Sequence, residues 1–229
     1  KVFHLAANPA YYAGAPKLDR FEIHAYPDEA SLLKALRSSE LSGASGLSPT
    51  VAPTIDLARY KLTPQALNSG VYLLFNMNNP ILKDAKVRKA LQAATDTAAL
   101  RSDIGGGVLP LDAPILSSQL DGADVPQVAP PDIARAQALL DEAGWKMSGS
   151  GRMRDGQALG FTITTTKNSE NLRSIDNLAK QWRKIGVNVE RKVVDTSGIA
   201  CTLVQDTLHE RNFDILFYEL AIGAVPDVI

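Results

Sequence analysis

Few side chains in the 229-residue sequence have types and spacings that could perform chemistry. The histidines are His4, His24 and His209, and we expect none of them to share a face with a second metal ligand. His209-Glu210 departs from the H-E-x-x-H zinc motif because Phe213 occupies the position of the second histidine. We therefore expect histidines that are exposed or hydrogen-bonded, and no metal site.

Motifs for nucleophiles and phosphate binding are not found either. The sequence contains neither a G-x-S-x-G elbow nor a G-x-x-x-x-G-K-[ST] loop. Gly105-Gly106-Gly107 follows a predicted helix, which is typical of a flexible turn, and the single cysteine, Cys201, cannot form an intrachain disulfide. The carboxylates form no recognisable acid–base pair. We therefore expect no cofactor and no enzymatic activity, with an α/β enzyme of unrecognised site as an alternative.

The composition is that of an ordinary globular protein, with 45% hydrophobic and 21% charged residues. A net charge of -1 does not favour nucleic acid or an anionic membrane as a partner. No apolar run approaches the roughly 20 residues of a membrane-spanning helix. The opening Lys1-Val2-Phe3-His4 does not resemble a signal peptide, which predicts a cytoplasmic protein or a trimmed mature one.

Hydrophobic periodicity predicts a chain that alternates between strands and helices. Predicted strands lie near residues 20–26, 71–77, 159–165, 187–193 and 213–220, and predicted helices lie after residues 28, 84, 132 and 169 and over 203–209. This alternation is typical of an α/β fold with a mostly parallel or mixed sheet. The apolar run at 71–77 predicts a buried central strand.

Several element boundaries carry capping or turn chemistry. Candidate helix N-caps are Asp28, Asp84, Asp132 and Ser169. Asp155-Gly156 predicts a hairpin turn. Residues 54–60 could form a short helix, and Arg88 could tie its helix to the edge of the sheet.

A series of short segments resembles the family 5 extracellular solute-binding proteins, which deliver peptides, nickel or other solutes to ABC importers. Residues 8–19 resemble the family pattern N-P-x-Y-W-x-G-x-P-x-L-D, with Tyr12 in place of tryptophan. Residues 74–96 resemble the more specific pattern F-N … P-x-x-D-x-x-V-R-x-A-L-x-x-A-x-D. Further resemblances are A-x-x-L-L-x-E-A-G-W at 134–145 with its D-G turn, Q-L-x-x-I-G-I-x-V at 181–189, and F-D-x … D-P-D ending at Asp227.

The resemblance implies an α/β fold of the two-lobe, type II periplasmic-binding-protein kind, with mixed sheets flanked by helices. It places residues 1–70 in part of lobe 1 and residues 71–229 in most of lobe 2, so that the chain is an internal fragment lacking parts of both lobes. It also implies noncovalent capture of a peptide or other small solute between the lobes, and ABC permease subunits as partners. The expected location is extracytoplasmic, in the periplasm or at the cell surface, with a lipid anchor as one option.

Two departures from the family pattern bear on the ligand. The family's S-G-E-I-D loop is Ser38-Ser39-Glu40-Leu41-Ser42 here, without its glycine and aspartate. In peptide-binding members an aspartate before the D-P-D segment holds the α-amino group, but residues 220–226 contain no carboxylate. A charged peptide N-terminus buried there without a partner would cost several kcal/mol.

Ligand contacts are expected, by resemblance, from the start of lobe 2, the loop after Thr166 and the end of the last strand. The candidates are Asn76, Asn168, Asn171, Arg173, Tyr218, Glu219 and Leu220. The alternative is a structural role, in which the asparagines at 168 and 171 only cap a helix and Tyr218 is only core. Strand alternation puts Tyr218 and Leu220 on one face and Glu219 on the other, so Glu219 either replaces the missing aspartate or faces solvent.

Two further expectations concern the protein as a whole. A relative that has lost transport and acts as a receptor or peptide chaperone is a second alternative to an importer component. Because a part of a two-lobe protein exposes apolar surface from its cleft and interlobe contacts, we also expect this chain to associate with itself.

Overall fold

The computed structural model describes residues 1–48, 51–63, 69–105, 108–113, 128–194 and 203–221. Expectations for Cys201, for Gly106 and Gly107, and for the stretches 114–127 and 222–229 lie outside these residues. The chain divides into two compact units, Lys1–Thr63 (unit 1) and Pro64–Ile229 (unit 2). A lobe boundary at residue 70 stays a prediction.

Unit 1 contains an antiparallel ribbon and one α-helix. The ribbon pairs β1 (Val2–Ala6), where hydrophobic periodicity predicts no strand, with β2 (Arg20–His24), where a strand is predicted. Helix α1 (Glu29–Arg37) starts at the predicted cap, because the Asp28 side chain accepts a 2.8 Å hydrogen bond from Ser31 N. Its buried residues are Ala35 and Leu36.

The short helix predicted over residues 54–60 is not formed. A 3₁₀ helix spans Ala52–Thr54 instead. Beyond it, Asp56 organises a turn: its carboxylate accepts from Ala58 N at 3.0 Å, and its carbonyl accepts from Tyr60 N at 2.9 Å. Aspartate side chains often divert the backbone from helix into turns in this way, which explains the error.

The sheet of unit 2 has four strands among the described residues: β3 (Ser69–Phe75), β7 (Gly160–Thr166), β8 (Asn188–Val194) and β9 (Ile215–Ala221). Their order is β3-β9-β7-β8; β3 is antiparallel to β9, whereas β7 is parallel to both β9 and β8. The sheet is therefore mixed, as predicted.

Among the described strands of this sheet, β3 is outermost on one side and not central as predicted. Leu73 and Phe75 pack against one core and Leu74 against another. The continuous apolar run of β3 thus reflects packing against both faces of the strand, and not pairing with a strand on each side.

The helices among the described residues of unit 2 are α2 (Ala85–Ala93), α3 (Thr97–Ile104), α4 (Ile133–Glu142), α5 (Ser169–Arg183) and a π-helix (Leu203–His209). The predicted caps Asp84 and Asp132 accept hydrogen bonds from the first turns of α2 and α4. Helix α5 is capped by Asn168 rather than by Ser169, which is the first helical residue. Arg88 donates to the carbonyls of Leu82 and Lys83, and so ties α2 to the preceding turn rather than to the sheet edge.

Two cores lie on opposite faces of the sheet. The larger core joins α2, α4 and α5 to the face of the sheet that carries Ile163 and Ile215. The smaller core joins Leu203 and Leu208 of the π-helix to the face that carries Leu216 and Tyr218. The sheet is therefore covered by α-helices on one side and by the π-helix on the other.

A small three-stranded sheet follows α4. It consists of β4 (Lys146–Ser148), β5 (Gly151–Arg154) and β6 (Gln157–Ala158). Asp155 and Gly156 join the last two strands with φ of 53° and 79°, as expected for the tight turn predicted there. Among the described residues, no helix has both the length and the apolar character needed to cross a membrane.

Candidate ligand-binding site

The parallel strands of unit 2 all end at one edge of the sheet, which we call the carboxyl edge. Their last residues are Thr166, Val194 and Ala221, and the antiparallel strand β3 begins there at Ser69. The connection after β7 enters α5 on one face, whereas the π-helix after β8 packs on the other face. In open α/β sheets such a divergence opens a crevice beyond the strand ends, where ligands bind.

The asparagines after β7 hold the start of α5 at this edge. Asn168 Oδ1 accepts from Glu170 N at 2.8 Å and from Asn171 N at 3.2 Å. Asn171 Nδ2 donates to Thr165 Oγ1 at 3.3 Å. Both side chains thus have structural roles. Asn168 is exposed and its Nδ2 group takes no part in the cap, so it can still donate to a ligand.

Glu219 places an exposed carboxylate near the end of β9. Its Oε1 accepts a 2.6 Å hydrogen bond from Ser69 Oγ, which fixes its position across the β3–β9 pair. Val71, its directly paired residue, is 46% exposed. Alternation along β9 puts Glu219 on the same face as Phe217, which belongs to the larger core with α5. The exposed carboxylate and the start of α5 therefore share one face and one edge of the sheet.

Tyr218 and Leu220 lie on the opposite face, as the alternation predicts. Tyr218 is half-buried against the smaller core, and Leu220 is 38% exposed. Leu220 pairs with Gly70, where an added Cβ would collide with Leu111 Cδ2 and approach the Tyr72 ring to 3.0 Å. Glycine at position 70 therefore lets the loop at Leu111 close over this corner of the sheet.

Asn76 and Arg173 are placed differently from the other candidates. Asn76 follows β3 at the opposite edge, where its Nδ2 donates to Arg211 O at 2.9 Å and Phe213 O at 2.7 Å. Arg173 is an exposed residue about one turn into α5, further along the helix from the strand ends than Asn168. The structure therefore brings five of the seven candidates to the carboxyl edge: Asn168, Asn171, Tyr218, Glu219 and Leu220.

Three residues of this edge carry no distinctive sequence signal. Ser69 donates a hydrogen bond to Glu219, and Thr165 accepts one from Asn171. Gly70 packs closely against the side chains of Leu111 and Tyr72. Pairing Ser69 with Glu219 requires knowing the register of two strands 150 residues apart, which local periodicity does not supply.

Two depressions of about 200 Å³ lie away from the carboxyl edge among the described residues: one at the opposite edge near Thr162 and Asp214, the other between α2 and α4 near Lys89 and Arg135. Both are smaller than the roughly 300–1,000 Å³ typical of small-molecule sites. Among all the described residues, no group of three or more His, Cys, Asp or Glu side chains could hold a metal ion.

The family model "Bacterial extracellular solute-binding proteins, family 5 Middle" matches residues 1–228. The oligopeptide-binding protein AppA of Bacillus subtilis is 26% identical over 230 residues, covering 97% of this chain and 42% of AppA. A putative ABC transporter peptide-binding protein of Brucella ovis is 28% identical over 228 residues, covering 98% of this chain and 42% of that protein. The chain thus spans less than half the length of these relatives.

Solved structures show the same fold. The structure of NikA from Brucella suis in complex with Fe(III)-EDTA matches with a TM-score of 0.78 at 23% identity, covering 98% of this chain and 46% of NikA. The fold is thus that of a type II periplasmic binding protein, present in part.

Proposed function

The chain belongs to the bacterial extracellular solute-binding proteins of family 5, and we propose from this that the full-length protein captures a small solute and delivers it to an ABC importer. Capture is noncovalent and takes place outside the cytoplasm, and the permease subunits of the importer are the partners. Because the chain spans about 42% of the length of its relatives, these activities are proposed for the longer protein.

The observation that carries this proposal is the character of the carboxyl edge. It presents an exposed carboxylate on Glu219, an exposed amide on Asn168 and an exposed apolar side chain on Leu220. Such a mixture of hydrogen-bonding groups and apolar surface suits reversible binding of a polar organic solute. Because the chain spans only part of the length of its relatives, we propose that the rest of the longer protein supplies the other wall of the site.

The same edge offers little support for catalysis. Ser69 and Glu219 lie within hydrogen-bonding distance, as a nucleophile and its base would. Among the described residues of unit 2, however, the histidine is His209, which ends the π-helix that leads away from this edge. A binding role accounts for the exposed carboxylate without a further group.

We propose an oligopeptide as the solute and Glu219 as the group that meets its α-ammonium. The sequence relatives are named as oligopeptide- or peptide-binding proteins, which supports this class of ligand. The aspartate that resemblance would place between residues 220 and 226 is not in the sequence. Glu219 lies just before that stretch, and the Ser69 hydroxyl already orients its carboxylate.

A thermal-shift screen of the full-length protein tests the solute class, using pools of short peptides beside sugars and nickel salts. A ligand at 100 times its Kd stabilises the folded state by about 2.7 kcal/mol, which is readily measured. Stabilisation by peptides supports the proposal. Stabilisation by another class alone would exclude oligopeptides, and no stabilisation by any pool would count against solute capture.

The role of Glu219 is tested with one peptide in two forms, with a free and with an acetylated N-terminus. Glu219→Gln should weaken binding of the free form about tenfold or more, because a hydrogen bond between two charged groups is lost. Binding of the acetylated form should change little. Equal effects on both forms would remove Glu219 from ammonium recognition without affecting the broader proposal.

A further inference from the structure

Helices α2 and α4 of unit 2 pack side by side and run in opposite directions. The start of α4 meets the end of α2, where Asp132 N donates to Ala93 O at 2.7 Å. The end of α4 meets the start of α2, where Lys86 Nζ lies 3.1 Å from Glu142 Oε2. An ion pair therefore bridges the two helices at one end of their contact.

The other end of the helix pair carries two cations instead of an ion pair. Lys89 lies about one turn beyond Lys86 on α2, and Arg135 lies about two turns before Glu142 on α4. Both residues are exposed, and both line the depression of about 200 Å³ between the helices. Among the described residues, neither charged group forms an ion pair.

Asp132 is the acidic residue of this lining, and its carboxylate already has a structural role. Its Oδ1 accepts a 2.8 Å hydrogen bond from Arg135 N, which caps the start of α4. One carboxylate against two cations leaves the lining with a net positive charge. Because like charges around one small depression repel each other, an anion between Lys89 and Arg135 would be stabilised there.

The rest of the lining indicates which kind of anion fits. Residues 128–130 and Ala93 contribute apolar side chains, and Gln92 contributes an amide that can donate hydrogen bonds. Cationic groups beside apolar side chains suit a carboxylate on a hydrocarbon stem, because the stem leaves water when it binds. The stem must be short, since the volume is below that of typical small-molecule sites.

We propose that this depression binds a carboxylate on a short aliphatic stem, held between Lys89 and Arg135. The planar guanidinium of Arg135 can donate two parallel hydrogen bonds to such a group, and Lys89 adds a second charge. The carboxylate can belong to a free short-chain acid or to a glutamate side chain of a protein partner. The site shares no residue with the carboxyl edge, so it is independent of solute capture there.

Titration of the 229-residue chain followed by amide NMR spectra tests the site, with butyrate as the free acid and N-acetyl-glutamate amide as the side-chain mimic. Saturable shifts should appear in the segments 89–93 and 128–135. Lys89→Met and Arg135→Met should each weaken binding roughly three- to fivefold, because each removes one exposed charged contact. Lys83→Met, at an exposed lysine outside the depression, is the control and should leave the affinity unchanged. The spread of the amide signals shows whether each variant is folded.

Further ligands separate recognition of the carboxylate from contact with the stem alone. Butylamine has the same stem with the opposite charge and should cause no saturable shift, and added sodium chloride should weaken butyrate binding by screening. A lower Kd for the glutamate mimic points to a side chain of a protein partner, and a lower Kd for butyrate points to a free acid. No saturable shift with either carboxylate, or equal affinity in the unchanged protein, Lys89→Met and Arg135→Met, would overturn the proposal.

Discussion

At the scale of single residues, the buried Arg152 side chain donates several hydrogen bonds that join separate segments of unit 2. It is 2% exposed, and its guanidinium donates to Ile185 O at 2.8 Å, Trp145 O at 2.6 Å and Asp141 Oδ1 at 2.7 Å. These bonds join the loop after α4, strand β5 and the end of α5. The contacts satisfy carbonyl groups that would otherwise be buried without donors.

We expect Arg152→Met to lower the free energy of unfolding by about 3 kcal/mol, because it leaves two buried carbonyls unpaired. Urea denaturation followed by circular dichroism measures this loss. Arg135→Met, at an exposed position of α4, is the control and should change stability by less than about 0.5 kcal/mol. Equal effects of the two substitutions would show that the Arg152 contacts do not stabilise the fold.

The ion pair between Arg152 and Asp141 predicts that the stability of the fold depends on pH. The hydrogen bond from Arg152 lowers the pKa of Asp141 below its ordinary value. Because the folded-state pKa is the lower one, the stabilisation is present above the unfolded-state pKa of about 3.9 and is lost as the pH falls through the folded-state value. Asp141→Asn should therefore destabilise the protein at pH 7 and converge with the unchanged protein in acid.

Denaturation midpoints measured between pH 7 and pH 2 test this expectation. Asp155→Asn is the matched control, since Asp155 is an exposed turn residue with positive φ, a conformation that asparagine also tolerates. A difference between Asp141→Asn and the unchanged protein that stays constant over this pH range would contradict the linkage.

The residues of the carboxyl edge show what sequence patterns can and cannot locate. Position at or just beyond the end of a strand, together with family resemblance, points to Asn168 and Glu219. The bonds of Ser69 and Thr165 depend on strand register and on the placement of a helix against the sheet. Asn76 is a polar residue at a strand end like the others, but β3 runs antiparallel, so its end lies at the opposite edge.

At the scale of elements, the N-cap of α5 allows the contributions of Asn168 and its neighbour Ser169 to stability to be compared. Asn168→Ala removes an acceptor for two backbone N–H groups and should lower stability by about 1 kcal/mol. Ser169→Ala, which sequence pattern alone would select as the cap, should have little effect because Ser169 is an exposed first-turn residue. Thermal denaturation of both variants measures the difference. A larger loss for Ser169→Ala would contradict the capping geometry.

The alternation of strands and helices is largely predictable because periodicity is a local property. Helices α1, α2, α4 and α5 begin within a residue of the predicted caps. The outermost position of β3 among the described strands and the pairing of β1 with β2 depend on strands elsewhere in the sequence. Apolar runs reveal that a strand is covered, but they do not reveal which strands lie beside it.

At the scale of the whole molecule, exposed apolar surface on unit 1 predicts self-association. Phe3, Leu5, Phe21 and Ile23 are 46–56% exposed and lie on one face of the ribbon. A two-stranded ribbon is marginally stable by itself, so a second copy that covers this face would stabilise it.

Sedimentation velocity over a range of concentrations should therefore show a dimer or larger species at high concentration. Phe21→Lys should shift the distribution towards monomer, whereas Leu109→Lys, a control at a 68% exposed leucine outside unit 1, should not. A protein that remains monomeric at all concentrations would contradict the expectation.

The central claim is that solute binds at the carboxyl edge of the unit 2 sheet. Hydrogen–deuterium exchange of the full-length protein, with and without a saturating peptide that stabilises it, tests this claim most directly. We predict slower exchange in the segments 166–171 and 218–221, and unchanged exchange in 160–162 and 188–190 at the opposite edge. Protection confined to the opposite edge, or found in neither segment of the carboxyl edge, would contradict the account.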